Sequence, residues 1–334
     1  MTANAGTLRL WDQAPRHLLV AGLLLATIIA VSIINPAFAT LQNGRDLLVQ
    51  SAPALIVGCG MTLLVLTGEI DISVGSLMGL LAALMGVLAS PQRMGLPVPI
   101  VIALTLGAGA GLGLANGLLV TIGRVPSIIA TLGTMTILRG INELVMGGTW
   151  ITDLPHGLRT LGTGGLAGVP TSLWTAAVVG AGSIVLAQRT RLGLRIYAVG
   201  GNPEAAANAR ISTRNIKPLA FTLVGLLTAV AALVSVPQQS VIEPGIGAGF
   251  ELVVVTAVVV GGTAIRGGRG GIAGTLLAAI LLGSIRTSLL FMNLGVMATY
   301  WERAIQGGFI LAGVLGDYTA GLVSQGRAFA GPPP

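Results

Sequence analysis

The chain has 334 residues, of which 53% are hydrophobic and only 9% are charged, and its mean hydropathy is +0.89. A soluble domain carries about 25% charged residues, so this composition excludes a soluble globular protein and indicates a membrane protein. The net charge of +7 comes almost entirely from arginine, since Lys217 is the only lysine, and aromatic residues make up only 4% of the chain. Such a sequence lacks the distributed basic surface that nucleic-acid binding requires.

Several kinds of chemistry are excluded by single residue counts. Cys59 is the only cysteine, so neither an intrachain disulfide nor a cysteine-ligated metal site is possible. The two histidines, His17 and His156, lie in unrelated segments and match no catalytic motif. Because Lys217 precedes Pro218, the chain has no phosphate-binding Gly-x4-Gly-Lys-Ser/Thr loop. We therefore expect no catalytic residue, metal or cofactor here, and any ATP that drives this protein should bind another subunit.

The apolar segments predict an all-α, polytopic membrane protein with about ten transmembrane helices, some of them short or broken. A membrane-spanning helix needs about 20 apolar residues, or fewer where a broken helix is shielded by protein. The boundary between the second and third spans, at residues 68–72, is the least clear. The predicted spans cover residues 17–35, 47–67, 73–90, 97–122, 126–146, 170–188, 218–237, 251–264, 272–293 and 303–316.

Positive charges predict the orientation. The segment 189–217 carries six cationic residues against the single acid Glu204, and cationic loops stay in the cytosol. With an even number of spans, both termini then lie in the cytosol. This divides the chain into a cytosolic N-terminal segment (1–16), a transmembrane domain (17–316) that contains a cytosolic loop (189–217), and a cytosolic C-terminal tail (317–334).

Two acidic residues, Glu69 and Asp71, interrupt an apolar region within the segment 67–76. A carboxylate at membrane depth is costly and needs a helix break, a water-filled cavity or a partner. Gly68 permits such a break, and Ser73 is a candidate cap for the following helix. The sequence leaves two interpretations open: a tight loop at the cytosolic surface, or a segment near a transport pathway.

A second interruption is the glycine-rich segment 261–274. Residues 268–273 match Gly-x-Gly-x-x-Ala, but the apolar spans on either side do not suit a dinucleotide site. Both interruptions have an apolar run, a glycine break, a short polar turn and a second apolar run, and they lie in opposite halves of the chain. This arrangement is typical of a five-plus-five internal repeat with broken helices in equivalent positions.

Glycines at four-residue spacing predict close helix packing, since glycine lets helix backbones approach each other in lipid. They are Gly75 and Gly79 in the third predicted span and Gly107, Gly109, Gly111, Gly113 and Gly117 in the fourth.

Three charged residues lie inside the later spans. Arg139 and Glu143 are one helical turn apart, so they either form a structural ion pair or line a pathway. Arg286 has no nearby acid in the sequence and should be paired with a carboxylate from another helix or with water.

The cytosolic loop contains the pattern of a short helix. Asn202 suits the N-cap, Pro203 the first helical position and Glu204 the first turn, and alanines follow. Isolated helices of this length are marginal in water, so the helix must dock on something. It contacts either a soluble partner subunit or only its own transmembrane domain.

Four ordered motifs carry a family resemblance. They are Thr67–Ser76, Pro126–Thr134 with Arg139–Gly140, Tyr197–Asn202, and Gly261–Thr263 with Gly267–Gly268. From about residue 45 to 316 the chain resembles the permease subunits of bacterial ATP-binding-cassette (ABC) importers for monosaccharides, the ribose-type group. Glu69 departs from the family pattern, in which glycine is common at this position. The segments at Arg139–Gly140 and 148–155 resemble the branch that handles rhamnose or the autoinducer-2 signal, without deciding the substrate.

The resemblance implies a permease that transports a monosaccharide or sugar-like molecule by alternating access. It implies three protein partners: a second permease copy or paralogue, a cytosolic ABC ATPase, and a periplasmic sugar-binding protein facing the loops with Trp150, Glu243 and Trp301. The expected ATPase-coupling residues are Gly200, Gly201, Asn202, Pro203, Glu204, Ala205, Ala206, Ala207 and Arg210, and the expected translocation-pathway residues are Asp71, Ser73, Ser76, Arg139 and Glu143.

Two other functions remain open. One is a secondary transporter coupled to protons through Asp71, Glu143 or Arg286. The other is an intramembrane enzyme, which is disfavoured because no ordered nucleophile and base occur within the spans.

Overall fold

The computed structural model describes residues 16–239, 241–295 and 297–329. Within these ranges the chain forms thirteen α-helices, two short 3-10 helices at Pro36–Ala39 and Val236–Gln238, and a small antiparallel hairpin of β1 (Gly165–Leu166) and β2 (Val169–Pro170). The helices are α1 (Arg16–Ile34), α2 (Leu41–Val65), α3 (Val74–Ala89), α4 (Val98–Thr121), α5 (Ser127–Met146), α6 (His156–Thr163), α7 (Thr171–Arg189), α8 (Arg191–Gly201), α9 (Pro203–Asn208), α10 (Thr213–Ser235), α11 (Phe250–Val260), α12 (Ile272–Phe291) and α13 (Met297–Phe329).

The all-α membrane architecture is confirmed. Seven helices of the described chain are long and apolar enough to cross a membrane: α1, α2, α4, α5, α7, α10 and α12. The third and eighth predicted spans correspond to the shorter α3 and α11, with 16 and 11 residues, and the tenth lies within α13. Of the predicted cytosolic tails, residues 1–15 and 330–334 lie outside the described residues.

The uncertain boundary between the second and third predicted spans is a true helix break. Helix α2 ends at Val65, and Gly68 has φ +83°, a left-handed conformation that a residue with a side chain rarely adopts. Helix α3 begins only at Val74. The glycine in this position therefore separates two helices that the hydropathy pattern alone would nearly merge.

The segment 189–217 is more helical than the sequence pattern predicts. Helix α8 precedes the expected short helix, with Ile196 and Val199 buried and Leu194 exposed. This amphipathic pattern was missed because α8 ends in two glycines, which are poor helix formers. Helix α6 and the β1–β2 hairpin were not expected either.

Helix α2 lies at the centre of the fold. Almost every residue from Ser51 to Val65 is buried, and α2 packs against α7, α10, α11 and α12. Helix α4 packs against α10 through glycines, as expected: a Cβ on Gly109 would lie 2.5 Å from the Gly225 carbonyl oxygen, and one on Gly113 would lie 2.4 Å from that of Phe221. Gly107 and Gly111 lie on the opposite face of α4, and nothing in the described chain lies within 4 Å of a Cβ built on them.

Candidate coupling junction and polar cavity

Three motifs that are distant in sequence meet at one point, here called the coupling junction (residues 66–68, 200–201 and 267–268). A Cβ on Gly200 would lie 1.8 Å from the carbonyl oxygen of Leu66, at the end of α2. The same oxygen accepts a hydrogen bond of 2.9 Å from the amide of Gly268. The last turn of α8 therefore lies directly on the backbone of both helix breaks.

The two helix breaks also contact each other. Gly267 has φ +84°, and a Cβ on it would lie 2.7 Å from the amide nitrogen of Gly68. The Tyr197 hydroxyl donates a hydrogen bond of 2.8 Å to the carbonyl of Gly270, which ties α8 to the second break. Burial raises the pKa of this phenol, so it stays protonated and able to donate at neutral pH. Only glycines permit backbones to approach this closely.

The predicted short helix α9 follows the junction and has the expected start. The Asn202 side chain accepts a hydrogen bond of 3.0 Å from the Ala205 amide, Pro203 is the first helical residue, and Glu204 lies in the first turn. Ala206 is 4% exposed and packs in a cluster with Ile196, so one side of α9 docks on its own chain. Ala205, Ala207 and Arg210 are exposed.

An ion pair connects the first break to α10. The Lys217 ammonium lies 2.5 Å from a Glu69 carboxylate oxygen, and both side chains are mostly buried, with exposures of 23% and 13%. They line a cavity of about 450 Å³ together with Arg124 and Arg214. The acid that departs from the family pattern is thus the partner of the chain's only lysine.

Asp71 is fully buried in the first break and is held by neutral donors. One oxygen accepts hydrogen bonds from the amide and hydroxyl of Ser73, and the other accepts one of 3.3 Å from the amide of Asn116 on α4. The Asn116 side chain also accepts a hydrogen bond from Thr134 on α5. Ser73 occupies the N-cap position of α3, but it does not cap the helix with its side chain, because its hydroxyl donates to Asp71.

Helix α5 supplies further hydroxyl groups to this break. Ser127 accepts a hydrogen bond from the Ile70 amide at 3.4 Å, and Thr131 accepts one from the Ile72 amide at 3.2 Å. These contacts satisfy backbone donors that the break removes from helical hydrogen bonding. The interpretation of 67–76 as a plain surface loop does not fit this buried, cross-linked segment.

A second cavity of about 230 Å³, here called the polar cavity, lies among α3, α5 and the loop 244–248. Three of the predicted pathway residues line it, namely Ser76, Arg139 and Glu143, whereas Asp71 and Ser73 do not. The ion pair considered for Arg139 and Glu143 does not form within the described chain, and both side chains are exposed toward the cavity side of α5. Asn142 holds the loop, since its side chain donates to the Pro244 carbonyl at 2.9 Å.

Arg286 has a partner on another helix, as expected. Its guanidinium nitrogen Nε lies 3.7 Å from a carboxylate oxygen of Glu302 on α13. Arg286 is therefore part of a helix–helix contact.

Two loops on the far side of the polar cavity from the junction are joined to each other. Ile151 and Ile242 form an antiparallel bridge, with hydrogen bonds of 3.1 and 2.9 Å. Asp153 fixes this layer to the end of α3, because its carboxylate accepts hydrogen bonds from the Ser90 hydroxyl and the Gln92 amide. The Ser90 hydrogen bond is the main cause that lowers the pKa of Asp153. Trp150 and Glu243, next to the bridge, are exposed.

Several residues of these sites were missed in the sequence. Asn116 and Asn142 are amides inside apolar spans, and this rarity was an available signal. Glu251 is acidic, 8% exposed and in the first turn of α11, where a helix N-terminus favours negative charge. In the described ranges, no group of three or more histidine, cysteine or acidic residues could hold a metal ion.

Comparison with known proteins places the chain in a family. Residues 45–314 match the family described as branched-chain amino acid transport system / permease component. The ribose import permease protein RbsC of Escherichia coli K12 is 37% identical over 298 residues, which cover 88% of this chain and 91% of the relative. RbsC of Bacillus subtilis is 38% identical over 293 residues (87% and 89%).

The autoinducer 2 import system permease protein LsrC of Klebsiella pneumoniae is 37% identical over 293 residues, covering 87% of this chain and 83% of the relative. No solved structure matches the chain. The chain belongs to the branched-chain amino acid transport system / permease component family of membrane permeases.

Proposed function

We propose that this chain is the permease subunit of an ATP-driven importer that moves a monosaccharide or sugar-like molecule across the bacterial inner membrane by alternating access. The relatives named for ribose and autoinducer 2 import support a substrate of this class. Both termini of the permease lie in the cytosol, and a separate ABC ATPase hydrolyses the ATP.

The observation that carries the proposal is the coupling junction. A permease that lacks a nucleotide site needs a rigid route by which an ATPase can move its transmembrane helices. Gly200 contacts the end of α2, and Gly268 contacts both Gly201 and Leu66. A force on α8 and α9 therefore reaches both helix breaks without an intervening flexible side chain.

Helix α9 is the part that the ATPase grips. Asn202 to Ala205 and Ala207 to Arg210 are exposed, while Ala206 anchors the helix to its own transmembrane domain. A helix that is anchored on one side and exposed on the other can transmit movement from a partner to the core. The coupling residues are thus Gly200, Gly201, Asn202, Pro203, Glu204, Ala205, Ala206, Ala207 and Arg210, acting in two groups: buried anchors and exposed contacts.

The translocation pathway runs beside α3 and α5. Ser76, Arg139 and Glu143 line it at the polar cavity, while Asp71 and Ser73 set the position of the first break that leads into α3. Arg139 and Glu143 are exposed on the same helix as Ile137 and Leu144, which are 62% and 82% exposed. Charged side chains are costly in lipid, so a second permease copy covers this face and completes a pathway between the two subunits.

A periplasmic sugar-binding protein delivers the substrate to the opposite side. The exposed Trp150 and Glu243 are held together by the Ile151–Ile242 bridge and form a fixed patch for it. Trp301 is also exposed but lies on α13, outside this bridge.

The experiment is ATP-driven sugar uptake by the complete complex in proteoliposomes, with ribose as the first substrate. Ala207→Asp places a charge on the exposed face of α9, and we expect uptake to fall at least about tenfold while the ATPase still hydrolyses ATP. Ala167→Asp is the matched control, because Ala167 is exposed in the β1–β2 turn, far from α9 in the sequence. Wild-type uptake by Ala207→Asp would contradict the coupling role of α9.

Purified permease without the ATPase tests the alternative function. Uptake driven by a proton gradient in such liposomes would support a secondary transporter coupled through Asp71, Glu143 or Arg286. One observation weighs against that alternative at Arg286, because its guanidinium is paired with Glu302.

A further inference from the structure

The walls of the polar cavity differ in character. Helix α3 contributes the small residues Gly75, Ser76 and Gly79, and α5 contributes Arg139, Asn142 and Glu143. The loop 244–248 closes the third side and is fixed by the Asn142 hydrogen bond to Pro244. The cavity therefore has polar and charged side chains on its α5 wall and small residues on its α3 wall. A loop held in place by a hydrogen bond forms the third wall.

Ser76 has a hydroxyl group that nothing in the described chain uses. Its side chain is 4% exposed and lines the cavity, and its Oγ has no hydrogen-bond partner among the described residues. Most serines inside helices donate to the carbonyl of the preceding turn, as Ser51 and Ser288 do here. A buried hydroxyl without a partner is destabilising, so this one is expected to bind water or a ligand that enters the cavity.

A second unused polar atom lies behind the same wall. The Oε2 atom of Glu251 is buried without a partner in the described part of the chain, and a Cβ on the adjacent Gly75 would lie 1.9 Å from it. Ser76 Oγ and Glu251 Oε2 are thus two buried polar atoms without a partner in the described chain, and both lie at the first turn of α3. Elsewhere in this region polar groups are paired, as the Asp71 network illustrates.

The charges in the cavity favour ligands without net charge. Arg139 offers only donors and Glu143 offers only acceptors, and they do not neutralise each other by an ion pair. A phosphate or carboxylate would gain at Arg139 but face repulsion at Glu143. A polyhydroxylated molecule satisfies both, because each hydroxyl donates and accepts.

The volume of the cavity indicates the size of its ligand. A volume of about 230 Å³ corresponds to roughly eight water molecules at about 30 Å³ each. This is enough space for one monosaccharide. The residues that line the cavity, all within the described ranges, include no aromatic ring to stack on a sugar or a base, so recognition rests on hydrogen bonds.

We propose that the polar cavity is a binding site for one neutral monosaccharide, recognised by Ser76, Arg139 and Glu143, and that Glu143 excludes sugar phosphates and sugar acids. This inference rests on the proposed function, since it identifies where the imported sugar binds. The permease then discriminates by charge, in addition to any selection by its binding protein.

The test is equilibrium binding to the purified full-length permease in detergent, without ATPase, measured by saturation-transfer NMR with ribose and ribose 5-phosphate as probes. Wild type should bind ribose and give at least tenfold weaker binding of ribose 5-phosphate. Ser76→Ala should weaken ribose binding about tenfold. Glu143→Gln should narrow the difference between the two probes, a change that a structural role would not produce. Thr136→Val is the matched control, because Thr136 is exposed on α5 but does not line the cavity.

The outcomes separate this inference from the proposed function. Equal binding of both probes by wild type, or an unchanged preference in Glu143→Gln, overturns the site even if Ser76→Ala fails to fold. If the complete complex takes up ribose with ATP but ribose does not bind to this cavity, the binding site is overturned and the proposed function is not. Ribose binding that depends on Ser76 and Glu143, in a complex that never couples ATP to uptake, supports the site and counts against the importer.

Discussion

The coupling junction and the polar cavity lie at opposite ends of the segment 66–79, which contains the first helix break, and they differ in how much open space their contacts leave. At the junction, glycine backbones are in direct contact, and a single added Cβ on Gly200 would lie 1.8 Å from a carbonyl oxygen. In the polar cavity, glycines also contact backbone, since a Cβ on Gly75 would lie 2.5 Å from the Gly247 carbonyl oxygen and one on Gly79 would lie 2.6 Å from that of Ile246. Beside these contacts, however, Ser76 and Glu143 line open space. Close glycine contacts are common to both regions, and the cavity adds open volume lined by polar side chains.

This difference matches the physical demands of the two tasks. Transmission of movement needs a stiff contact, because a flexible side chain absorbs displacement by changing rotamer. Binding needs open volume and polar atoms that are not yet paired. The short stretch from Leu66 to Gly79 contributes to both regions. A displacement at the junction therefore reaches the cavity through the first turns of α3.

The largest effect that would test the comparison is at the junction. Gly200→Ala places a methyl group against the Leu66 carbonyl, and backbone cannot move aside as a side chain can. We expect a loss of about 3 kcal/mol in stability and at least a tenfold loss of ATP-driven uptake. Thermal unfolding in detergent and proteoliposome uptake measure the two effects.

Gly201→Ala is the matched control for this substitution. Gly201 lies next in sequence, and a Cβ built on it meets nothing within 4 Å. It should change stability by less than about 1 kcal/mol. If both variants behave alike, direct backbone contact is not what stiffens the junction.

A moderate effect on stability is expected at the Glu69–Lys217 ion pair, which links the first helix break to α10 through side chains. Glu69→Gln or Lys217→Gln should each reduce stability by about 1–2 kcal/mol, because the pair is partly buried and its remaining member loses a charged partner. The double variant should cost less than the sum of the single variants. Arg214→Gln is the control, because Arg214 is an exposed residue that lines the same cavity. A double variant whose loss of stability equals the sum of the two single losses would contradict the pairing.

The smallest effect is expected at Asp153, in the loops that the Ile151–Ile242 bridge joins. The folded protein has a lowered pKa at Asp153, so the Ser90–Asp153 contact stabilises fully above the ordinary carboxyl pKa of about 3.9 and is lost as the pH falls through the lower folded value. The hydrogen-exchange protection factors of residues 150–154, corrected for the intrinsic pH dependence of amide exchange, should therefore fall at acid pH. Asp153→Asn should remove that pH dependence, and an unchanged acid response in this variant would show that another group is responsible.

Much of the architecture was predictable because it depends on local composition. Each of the ten apolar segments corresponds to a helix, and the break at Gly68 and the start of α9 at Asn202 were both placed correctly. Long apolar runs have few alternatives in a bilayer, and a helix N-cap needs only a few adjacent residues. The general class of membrane permease followed from motifs that are contiguous in sequence.

The site was predictable only in part. Ser76, Arg139 and Glu143 were recognised as unusual residues and do share a cavity, but Asp71 proved to be held by Asn116, a partner 45 residues away. The pattern of α9 did not reveal that Ala206 is buried while its neighbours are exposed. Glu69 had no evident role until the structure paired it with Lys217. In each case the deciding neighbour comes from a different helix.

The sequence alone determined that this chain is helical, spans a membrane, breaks two of its helices at glycines and contains no catalytic motif of the kinds recognised here, because each of these properties depends on the residues of one segment at a time. Only the tertiary structure decided that Gly200, Leu66 and Gly268 touch, that the ion pair considered for Arg139 and Glu143 does not form, and which polar atoms remain unpaired. Such properties are set by the distances between atoms of different helices, and those distances depend on how all the helices pack together.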